Sequence, residues 1–355
     1  MNVLVLAGGH SPERDVSLVS GGKIVEALRR CGHRALLLDP YLSIEAAAPT
    51  ETLTSFEALY EKHAREDYAY EIPAEEPDLA RLKREFGNGE DLLGRHVLEA
   101  CKLADVVFLG LHGACGENGQ LQAAFDLFDI RYTGSSCVGC MLSMDKAVAK
   151  LVMAAHGVRV PGDEELDIGG MTPEALYDIL SAKPLPFVLK PCSQGSSVGV
   201  TIVREKEDIR KAVQYAGDYE SRILVEEYIA GREFTVAVLD GKALPVLEIR
   251  PQQGFFDYAN KYQSGATEEI CPAPISDELA QEMQAVALQA HRALRLGGYS
   301  RADFIVDSDG GVWCLEVNSL PGMTPASLVP KEALAASISY DDLCEKIMYL
   351  AVGEA

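Results

Sequence analysis

The sequence predicts an α/β protein whose first part is a doubly wound unit, and three observations support this fold class. Residues 3–7, VLVLA, form a short apolar run followed by glycines, which is typical of a buried strand that ends in a turn. Residues 16–30 have helical periodicity, and Gly32 stands where a C-cap glycine belongs. Residues 35–39 form a second apolar run, so the order is strand, helix, strand.

The rest of the chain continues to alternate between helices and strands. Residues 104–109 are predicted to be another buried strand, and an amphipathic helix then extends to Phe128. The charged, irregular stretch 41–100 is interpreted as an insertion with one or two surface helices. Further helices are predicted at 145–157, at 277–294 and near the C-terminus, and further strands at 187–190, 198–203, 222–227, 234–239 and 243–249.

Composition and charge exclude several classes of protein. The chain has 355 residues, of which 48% are hydrophobic and 24% charged, and its net charge of −22 argues against a nucleic-acid or membrane-surface partner. No run approaches 18 apolar residues and the N-terminus has no basic leader, so neither a membrane span nor a signal peptide is predicted. Nine cysteines, an odd number, do not suggest a disulfide framework. We therefore expect reduced thiols and a cytoplasmic protein.

A predicted hairpin near the C-terminus is the most informative segment. Residues 298–319, GYSRADFIVDSDGGVWCLEVNS, contain two alternating apolar runs joined by Asp-Gly at 309–310. If these two residues form the loop, Asp303 lies opposite Glu316 and Arg301 lies opposite Asn318. The two-residue period of a strand then places all four side chains on one face of the sheet.

This arrangement of side chains predicts a metal site. Directly opposed side chains lie roughly 5 Å apart, where two carboxylates repel each other by about 3 kcal/mol at an effective dielectric constant near 20. A hard divalent cation offsets that repulsion, because magnesium prefers carboxylate and amide oxygens. The alternative is a solvated polar face on which Arg301 neutralises its neighbours, and a bulge would change the register.

Two further segments suit a nucleotide. Residues 190–199, KPCSQGSSVG, place a lysine at a strand end before a Gly/Ser loop whose backbone N–H groups could hold phosphates, although an ordinary flexible turn is an alternative. Residues 226–233, EEYIAGRE, could bind adenine through the backbone and ribose through Glu233, or could simply connect two domains. No GxxxxGK[ST] motif occurs, nor GxGxxG near the first strand, which argues against a P-loop enzyme and a nicotinamide-dependent dehydrogenase.

Seven motifs, in order along the chain, resemble those of one family. They are GGHSPERDVS, HGACGENG, LSMDK, LKPCSQGSSVG, EEYIAGREFTV, FFDYANKY, and RADF followed by LEVNSLPGMTPASLVP. Over nearly its full length the chain resembles the D-alanine–D-alanine ligases, which are ATP-grasp enzymes. The resemblance implies a three-domain α/β ATP-grasp fold with ATP between the second and third domains. The expected domains are a Rossmann-like, doubly wound N-terminal substrate domain (1–134, with an insertion at about 41–100), a central ATP-grasp subdomain (135–225) and a C-terminal ATP-grasp and metal-binding domain (226–355).

For the first D-alanine, the resemblance implies a binding site around one glutamate. Glu13 would bind the substrate ammonium beside His112, and would form a hydrogen-bonded triad with Ser196 and Tyr262. Glu13 also follows the carboxyl end of the first strand, where open α/β sheets bind ligands. The alternatives are a first-turn glutamate favoured by the helix dipole and a structural histidine at a turn.

The resemblance implies three further groups of residues. Arg301 and the backbone N–H of Gly322 would stabilise an oxyanion, and Ser327 and Leu328 would bind the carboxylate of the second D-alanine. Two magnesium ions, with manganese as a substitute, would be bound by the residues that the hairpin register selects: Asp303, Glu316 and Asn318. The ATP-binding residues would be Lys146 and Lys190 for the phosphates, Glu226 and Glu233 for adenine and ribose, and Lys261. Lys261 lies next to Tyr262 in a loop that would close over the phosphates.

The implied function is ATP-dependent ligation of two D-alanines through an acyl phosphate. The product would serve peptidoglycan precursor synthesis, cell-wall biogenesis and cell shape, and the enzyme would be a cytoplasmic homodimer. Tyr262 and Leu328 follow the D-alanine pattern, whereas relatives that add D-serine or D-lactate often have an arginine in place of Leu328. Alternatives are such a ligase, another ATP-grasp carboxylate–amine ligase, or a non-catalytic nucleotide-binding module. The base for the second amine stays open between the phosphate and the Ser196–Tyr262 pair.

Three positions depart from the family pattern. Cys115 and Asn118 in HGACGENG are expected to change only a local turn. Gln194 stands where an acidic residue is expected, and its effect on the polarity of the phosphate site or substrate site stays open.

Overall fold

The computed structural model describes residues 1–44, 53, 55–63, 68–73, 77–86, 92–195, 197–251 and 267–353. Its frame consists of three β-sheets, one parallel and two antiparallel, with helices packed on them. Each sheet is built mainly from one part of the chain.

The first sheet is parallel and comes from the N-terminal part of the chain. Strand β1 (Asn2–Leu6) lies between β2 (Arg34–Leu38) and β3 (Val106–Leu109), and helix α1 (Arg14–Arg30) connects β1 to β2. The strands are continuous apolar runs with almost every side chain buried, as is usual where both faces of a parallel sheet are covered. The predicted βαβ opening is therefore confirmed.

The stretch 41–100 differs from the expected surface insertion. Its described part contains two complete helices, α2 (Phe56–His63) and α3 (Leu79–Phe86), and the start of a third at Val97. Helix α3 buries no side chain, as predicted, but α2 buries Phe56 and Leu59 in the core of the first sheet. Then follow α4 (Val97–Leu103), α5 (Ala114–Glu117), α6 (Gln120–Leu127) and α7 (Cys137–Met144).

The second sheet is antiparallel and comes from the middle of the chain. The elements of this region are α8 (Lys146–Ala155), β4 (Asp163–Asp167), α9 (Pro173–Ser181), β5 (Phe187–Pro191), β6 (Thr201–Val203), α10 (Ile209–Gly217) and β7 (Arg222–Glu227). The strand order is β4-β7-β5-β6, and α9 and α10 cover the sheet through Leu180 and Ile209. Strand β4 was not predicted, because its sequence DEELD lacks apolar alternation and four of its five side chains are exposed at the sheet edge.

The third sheet is antiparallel. Its strands are β8 (Gly231–Leu239), β9 (Lys242–Ala243), β10 (Leu247–Pro251), β11 (Thr267–Ile270), β12 (Tyr299–Asp307) and β13 (Val312–Asn318). The strand order is β11-β10-β8-β12-β13, and β9 also pairs with β8. The strand predicted at 243–249 is divided into β9 and β10, since the chain leaves the ladder around Pro245. The helices are α11 (Asp277–Ala293), α12 (Leu328–Ala335) and α13 (Tyr340–Val352).

Packing groups some elements differently from the order of the chain. Helix α8 buries Met153 in the core of the third sheet, although it precedes the strands of the second. Helix α13 buries Ile347 in the core of the first sheet, although it ends the chain. The predicted boundary at 225/226 falls inside β7, which the second sheet holds as one strand. Periodicity shows which face of a helix is apolar, but it does not show which sheet that face meets.

The helices in the described segments are all either too short or too polar to cross a bilayer.

A buried histidine in the third sheet's core makes stability depend on pH. His291 in α11 is 7% exposed, and its Nδ1 lies 2.7 Å from the Ser300 Oγ on β12. Burial lowers the pKa of His291 to about 4, against about 6.5 for the free ring. The stability that depends on the neutral ring is therefore complete above pH 6.5 and is lost as the pH falls towards 4.

We predict that the variant His291→Gln loses less stability on acidification than the wild type. Glutamine does not titrate and can still hydrogen-bond Ser300. Between pH 6.5 and pH 4, the free energy of unfolding should fall by up to about 3 kcal/mol more for the wild type. Urea denaturation at both pH values measures this difference, and equal losses would contradict the assignment.

Candidate active site

The β12–β13 hairpin places the predicted residues opposite each other, but for a different reason from the one predicted. Asp303 pairs with Glu316 and Arg301 with Asn318, as expected. The loop, however, has three residues, 308–310, since the backbone N–H of Asp307 donates to the Gly311 oxygen. The prediction of a two-residue loop is therefore wrong.

A bulge restores the predicted pairing. Beyond the loop the two strands are one residue out of step with the predicted register, as Phe304 faces Cys314. Leu315 then has no partner in the ladder, and the register shifts back at the Asp303–Glu316 pair. One extra residue in the loop and one in β13 cancel each other. The bulge also directs Leu315 to the wall of a cavity.

The opposed carboxylates have separate basic partners. Arg301 donates from Nε and Nη2 to the two oxygens of Asp303, each at 2.8 Å. Thr235, opposite Asp303 on β8, donates from Oγ1 to Asp303 Oδ1 at 2.8 Å. Glu316 Oε2 lies 3.7 Å from the Nζ of Lys146. The Arg301 and Asp303 side chains are each only 12% exposed, so the expected solvation of this face is wrong, although Arg301 does neutralise Asp303 as that alternative expected.

The predicted metal ligands provide oxygen donors suited to a hard cation. Asp303, Glu316 and Asn318 lie together at the hairpin, and the Asn318 Nδ2 donates to Asp303 Oδ2 at 3.1 Å. Across the described segments, no group of three or more His, Cys, Asp and Glu side chains is arranged for a metal. The predicted set instead consists of two carboxylates and one amide. Because these ligands are oxygen atoms, the set fits magnesium better than a soft metal.

The larger cavity lies between the second and third sheets. Its volume is about 460 Å³, which is within the range of small-molecule sites. Its apolar walls include Val188, Ile202, Ile249 and Ile305. The predicted nucleotide and metal residues on its surface are Lys146, Lys190, Glu226, Glu233, Asp303 and Glu316.

A buried ion network holds one side of this cavity. Glu226 on β7 is 4% exposed and accepts from the Nζ of Lys190 at 2.8 Å and of Lys150 at 2.7 Å. Lys150 also lies 3.4 Å from Asp163. Burial raises the pKa of Glu226, but the two ammonium groups outweigh it and hold that pKa below its usual range. The Glu226 carboxylate therefore holds two lysines, which leaves its backbone for any contact with adenine.

Sequence reasoning missed Lys150. It lies one turn after Lys146 on α8, and its side chain is 1% exposed. A lysine on the apolar face of a predicted helix is the signal that could have identified it, because an isolated buried ammonium requires a partner.

Lys146 connects the Gly/Ser loop to the hairpin. It is the first residue of α8, and its Nζ donates to the backbone oxygen of Gln194 at 2.5 Å. The departure from the family pattern at position 194 thus leaves this backbone contact in place, and Gln194 lines the larger cavity. The other departure in a described side chain, Asn118, makes local contacts with Gln120 at the start of α6.

Two arginines occupy the opposite wall of the larger cavity, and sequence reasoning also missed them. Arg232 and Arg250 each donate to Glu248 at 2.7 Å, and Glu248 is 2% exposed. Burial raises the pKa of Glu248, but the guanidinium groups bring it below its usual range.

A smaller cavity of about 200 Å³ adjoins the hairpin. The hairpin divides its side chains between the two spaces: Asp303 and Glu316 face the larger cavity, whereas Arg301 and Asn318 line the smaller one. The other predicted residues that line the smaller cavity are Glu13, His112, Gly322, Ser327 and Leu328.

One end of the smaller cavity is formed by the N-terminal part of the chain, and the Gly/Ser loop approaches this end at Gly195. Glu13 precedes α1, and a Cβ added at either Gly113 or Gly195 would lie 3.2 Å from its Oε2. Both glycines therefore allow the chain to approach the carboxylate closely. Burial lowers the pKa of the adjacent His112, which favours a neutral ring.

A further glutamate, Glu117, lines this end of the cavity and was missed. Its Oε2 accepts the backbone N–H of Gly113 at 2.7 Å. Burial and, secondarily, the charge of Glu13 raise the pKa of Glu117 to about 8. The motif HGACGENG, which the sequence analysis identified, contains this residue.

The other end of the smaller cavity is the beginning of α12. Ser327 is the N-cap residue, and its Oγ accepts the backbone N–H of Thr324 at 3.1 Å. A Cβ added at Gly322 would lie 3.2 Å from that same Oγ. The Leu328 side chain packs on Leu247 and Ile249, so its backbone N–H, in the first turn, is the group that can serve an anion.

The predicted site residues within the described segments all line one of these two cavities. Ser196, Lys261 and Tyr262 lie outside the described residues.

Comparisons with known proteins identify the family. The family model described as "D-ala D-ala ligase N-terminus" matches residues 2–135, and that described as "D-ala D-ala ligase C-terminus" matches residues 165–349. The D-alanine–D-alanine ligase of Pediococcus pentosaceus is 41% identical over 353 residues, which cover 98% of this chain and 97% of that relative. The ligase of Lacticaseibacillus casei is 37% identical over 98% of this chain and 95% of its own length.

Solved structures agree with these matches. The D-alanine–D-alanine ligase of Bacillus anthracis, complexed with ATP, has a TM-score of 0.74 and 27% identity over 99% of this chain and 98% of its own. The VanG D-Ala:D-Ser ligase of Enterococcus faecalis has a TM-score of 0.73 and 27% identity over 98% of both chains. They confirm the predicted α/β ATP-grasp fold with its doubly wound N-terminal domain. The chain belongs to the D-alanine–D-alanine ligase family.

Proposed function

We propose that the protein joins two D-alanine molecules into D-alanyl-D-alanine, with conversion of ATP to ADP and phosphate. One observation carries this proposal: the hairpin stands between a nucleotide-sized cavity and a smaller acidic cavity and presents charged groups to both. Such a wall suits a phosphoryl transfer from a nucleotide on one side to an amino acid on the other.

In the larger cavity, two lysines are positioned for the phosphates of ATP. Lys190 and Lys146 each have their Nζ held by an anionic or carbonyl partner, which fixes their positions before a ligand arrives. Glu233, on β8, also lines this cavity and would contact the ribose hydroxyls. Asp303, Glu316 and Asn318 would hold two magnesium ions, or manganese, which when bound neutralise phosphate charge and polarise the transferred phosphoryl group.

In the smaller cavity, Glu13 would bind the ammonium of the first D-alanine and leave its carboxylate directed towards the hairpin. That carboxylate attacks the γ-phosphorus of ATP, ADP departs, and D-alanyl phosphate forms. The His112 ring beside Glu13 is neutral, so it does not compete with the substrate ammonium for the Glu13 carboxylate. Ser196, Lys261 and Tyr262 remain predictions for the triad and the closing loop.

The second D-alanine would bind at the start of α12. Ser327 and the first-turn backbone N–H of Leu328 receive its carboxylate, and its amine attacks the carbonyl carbon of the acyl phosphate. Arg301 and Gly322 line the same cavity, so the guanidinium group and the backbone N–H would stabilise the oxyanion that forms. Collapse of this intermediate expels phosphate and leaves the peptide bond. The base that takes the proton from the amine is either that phosphate or the Ser196–Tyr262 pair.

The nature of residue 328 supports D-alanine as the acceptor. The Leu328 side chain is 7% exposed and belongs to an apolar cluster with Leu247 and Ile249, so it offers no charge to a hydroxyl-bearing acceptor. The VanG relative is a D-Ala:D-Ser ligase, so D-serine is the second candidate.

With ATP and D-alanine present, we expect D-alanyl-D-alanine to be the main product at neutral pH even when D-serine or D-lactate is supplied at equal concentration. Mass spectrometry of the products decides this, and preferential formation of a mixed product would overturn it.

We predict that Glu316→Ala abolishes most of the ligase activity. Loss of a metal-binding carboxylate should slow phosphate release from ATP with D-alanine by at least about a hundredfold, since such a metal contributes several kcal/mol. Asp309→Asn, on the exposed tip of the same hairpin, is the matched control and should retain the wild-type rate.

Four results of that assay have different meanings. Phosphate release with dipeptide formation by the wild type supports the ligase. ATP binding without phosphate release would indicate a non-catalytic nucleotide-binding module. Phosphate release that requires a different acceptor would indicate another ATP-grasp carboxylate–amine ligase. Full activity of Glu316→Ala would remove the metal assignment while leaving the ligase reaction intact.

We also propose a cytoplasmic homodimer that supplies the dipeptide for peptidoglycan precursors. Support for a dimer comes from large apolar side chains that stay exposed on helices α6 to α8: Leu127 is 78% exposed, Met141 58% and Leu151 70%. A second copy of the chain would cover such a surface.

The dimer proposal predicts a mass of twice 38.4 kDa in sedimentation equilibrium. Met141→Glu should reduce this mass to that of one chain, because it would bury a carboxylate in the contact. Phe86→Glu is a control of similar exposure, 56%, on α3, and should leave the mass unchanged. A wild-type chain that sediments as a monomer would refute the proposal.

A further inference from the structure

A buried glutamate that the proposed mechanism does not use anchors helix α12. The start of this helix forms the acceptor end of the smaller cavity, which is the end where the second D-alanine would bind. Glu332 on α12 is 0% exposed and lies one turn after Leu328. Its Oε2 accepts the backbone N–H of Ala237 on β8 at 2.5 Å. Helix α12 packs on β8, so this bond joins the helix to an inner strand of the third sheet.

The position of Ala237 gives this bond its significance. In the β8–β12 ladder, Ala237 lies directly opposite Arg301. On its other edge, β8 pairs with β10 as far as Thr235 and with β9 from Val238 onward, and Ala237 lies between these two ladders. Glu332 therefore supplies the acceptor for an N–H group at a gap in the sheet. A buried N–H without a partner would cost about 1–3 kcal/mol.

A second contact anchors the same helix more weakly. Lys331, the residue before Glu332, forms an ion pair with Glu269 on β11, at the side of the smaller cavity. The Lys331 side chain is 39% exposed, and ion pairs this exposed contribute little. The Glu332 bond is therefore the main polar connection between α12 and the sheet.

We propose that Glu332 is a positioning residue that holds the acceptor end of the smaller cavity at a fixed distance from Arg301. Ser327 and Leu328 begin the helix that Glu332 anchors, and Arg301 lies opposite the strand residue to which it is anchored. The proposal rests on the proposed function, because it assumes an acceptor carboxylate at the start of α12 and an oxyanion at Arg301. A displacement of about 1 Å between two reacting groups can cost a hundredfold in rate.

The protonation state of Glu332 suggests which replacement will preserve the anchor. Burial raises the pKa of Glu332 to about 8, while the Ala237 N–H and then Arg301 act in the opposite direction. The Oε1 atom has no hydrogen-bond partner among the described residues. A neutral carboxyl that accepts one N–H bond is closely imitated by a glutamine amide.

The test separates formation of the acyl phosphate from its use by the acceptor. Hydroxylamine, supplied in excess, traps D-alanyl phosphate as a hydroxamate without requiring an acceptor amino acid at α12. We expect Glu332→Ala to raise the apparent KM of the acceptor D-alanine about tenfold or more, with hydroxamate formation within about twofold of the wild type. Glu332→Gln should restore the wild-type KM, and Lys331→Ala should change it less than Glu332→Ala does.

A merely structural role for Glu332 would give a different pattern. Dipeptide and hydroxamate formation would then fall together in proportion to the folded fraction, or neither would fall, and either result overturns the proposal. If Glu332→Ala does not fold, Glu332→Asp takes its place, since its shorter side chain keeps the carboxyl group but displaces the helix. A wild-type chain that makes neither product would refute the proposed function instead.

Discussion

Asp303 and Glu316 face each other across the β12–β13 ladder, and neighbouring groups must offset the repulsion between them. The compensating charges come from opposite directions: Arg301 bonds Asp303 on the side of the smaller cavity, and Lys146 approaches Glu316 from α8. Thr235 adds a neutral donor from β8. Each substrate would therefore meet a hairpin whose charge is already balanced, and the residues on both sides depend on that balance for their position.

The buried charges beside the larger cavity fix the positions of side chains more than they stabilise the fold. Replacing a buried ion pair by apolar residues is often neutral or stabilising, because desolvation of the ions is costly. Glu226 with Lys150 and Lys190 is thus poor evidence for a more stable fold. What the network provides is an ammonium group of fixed position on the cavity wall, with little side-chain freedom left to lose when an anion binds.

Sequence reasoning was most successful where chemistry and local periodicity act together. The βαβ opening follows from apolar runs, and the pairing of Asp303 with Glu316 was predicted although the loop length was wrong. Long-range packing left no local signal: the Glu332–Ala237 bond joins residues 95 positions apart, and nothing in the sequence indicates which sheet buries α8. Glu248 was missed for a related reason, since only the tertiary structure shows that it is buried beside partners of opposite charge.

The two irregularities of the hairpin have a consequence for how this segment can vary in length. A strand slipped by one residue turns its side chains to the opposite face. Deleting one of the three tip residues would leave Asp307 opposite Gly311 across a two-residue loop, and the pairs beyond the loop would not change. Deleting Leu315 would let the Phe304–Cys314 pair continue directly to Asp303–Glu316 as a regular ladder. A residue lost from the paired stretch between the loop and the bulge would instead slip one strand against the other. Changes in length are therefore tolerable at the two irregularities and not between them.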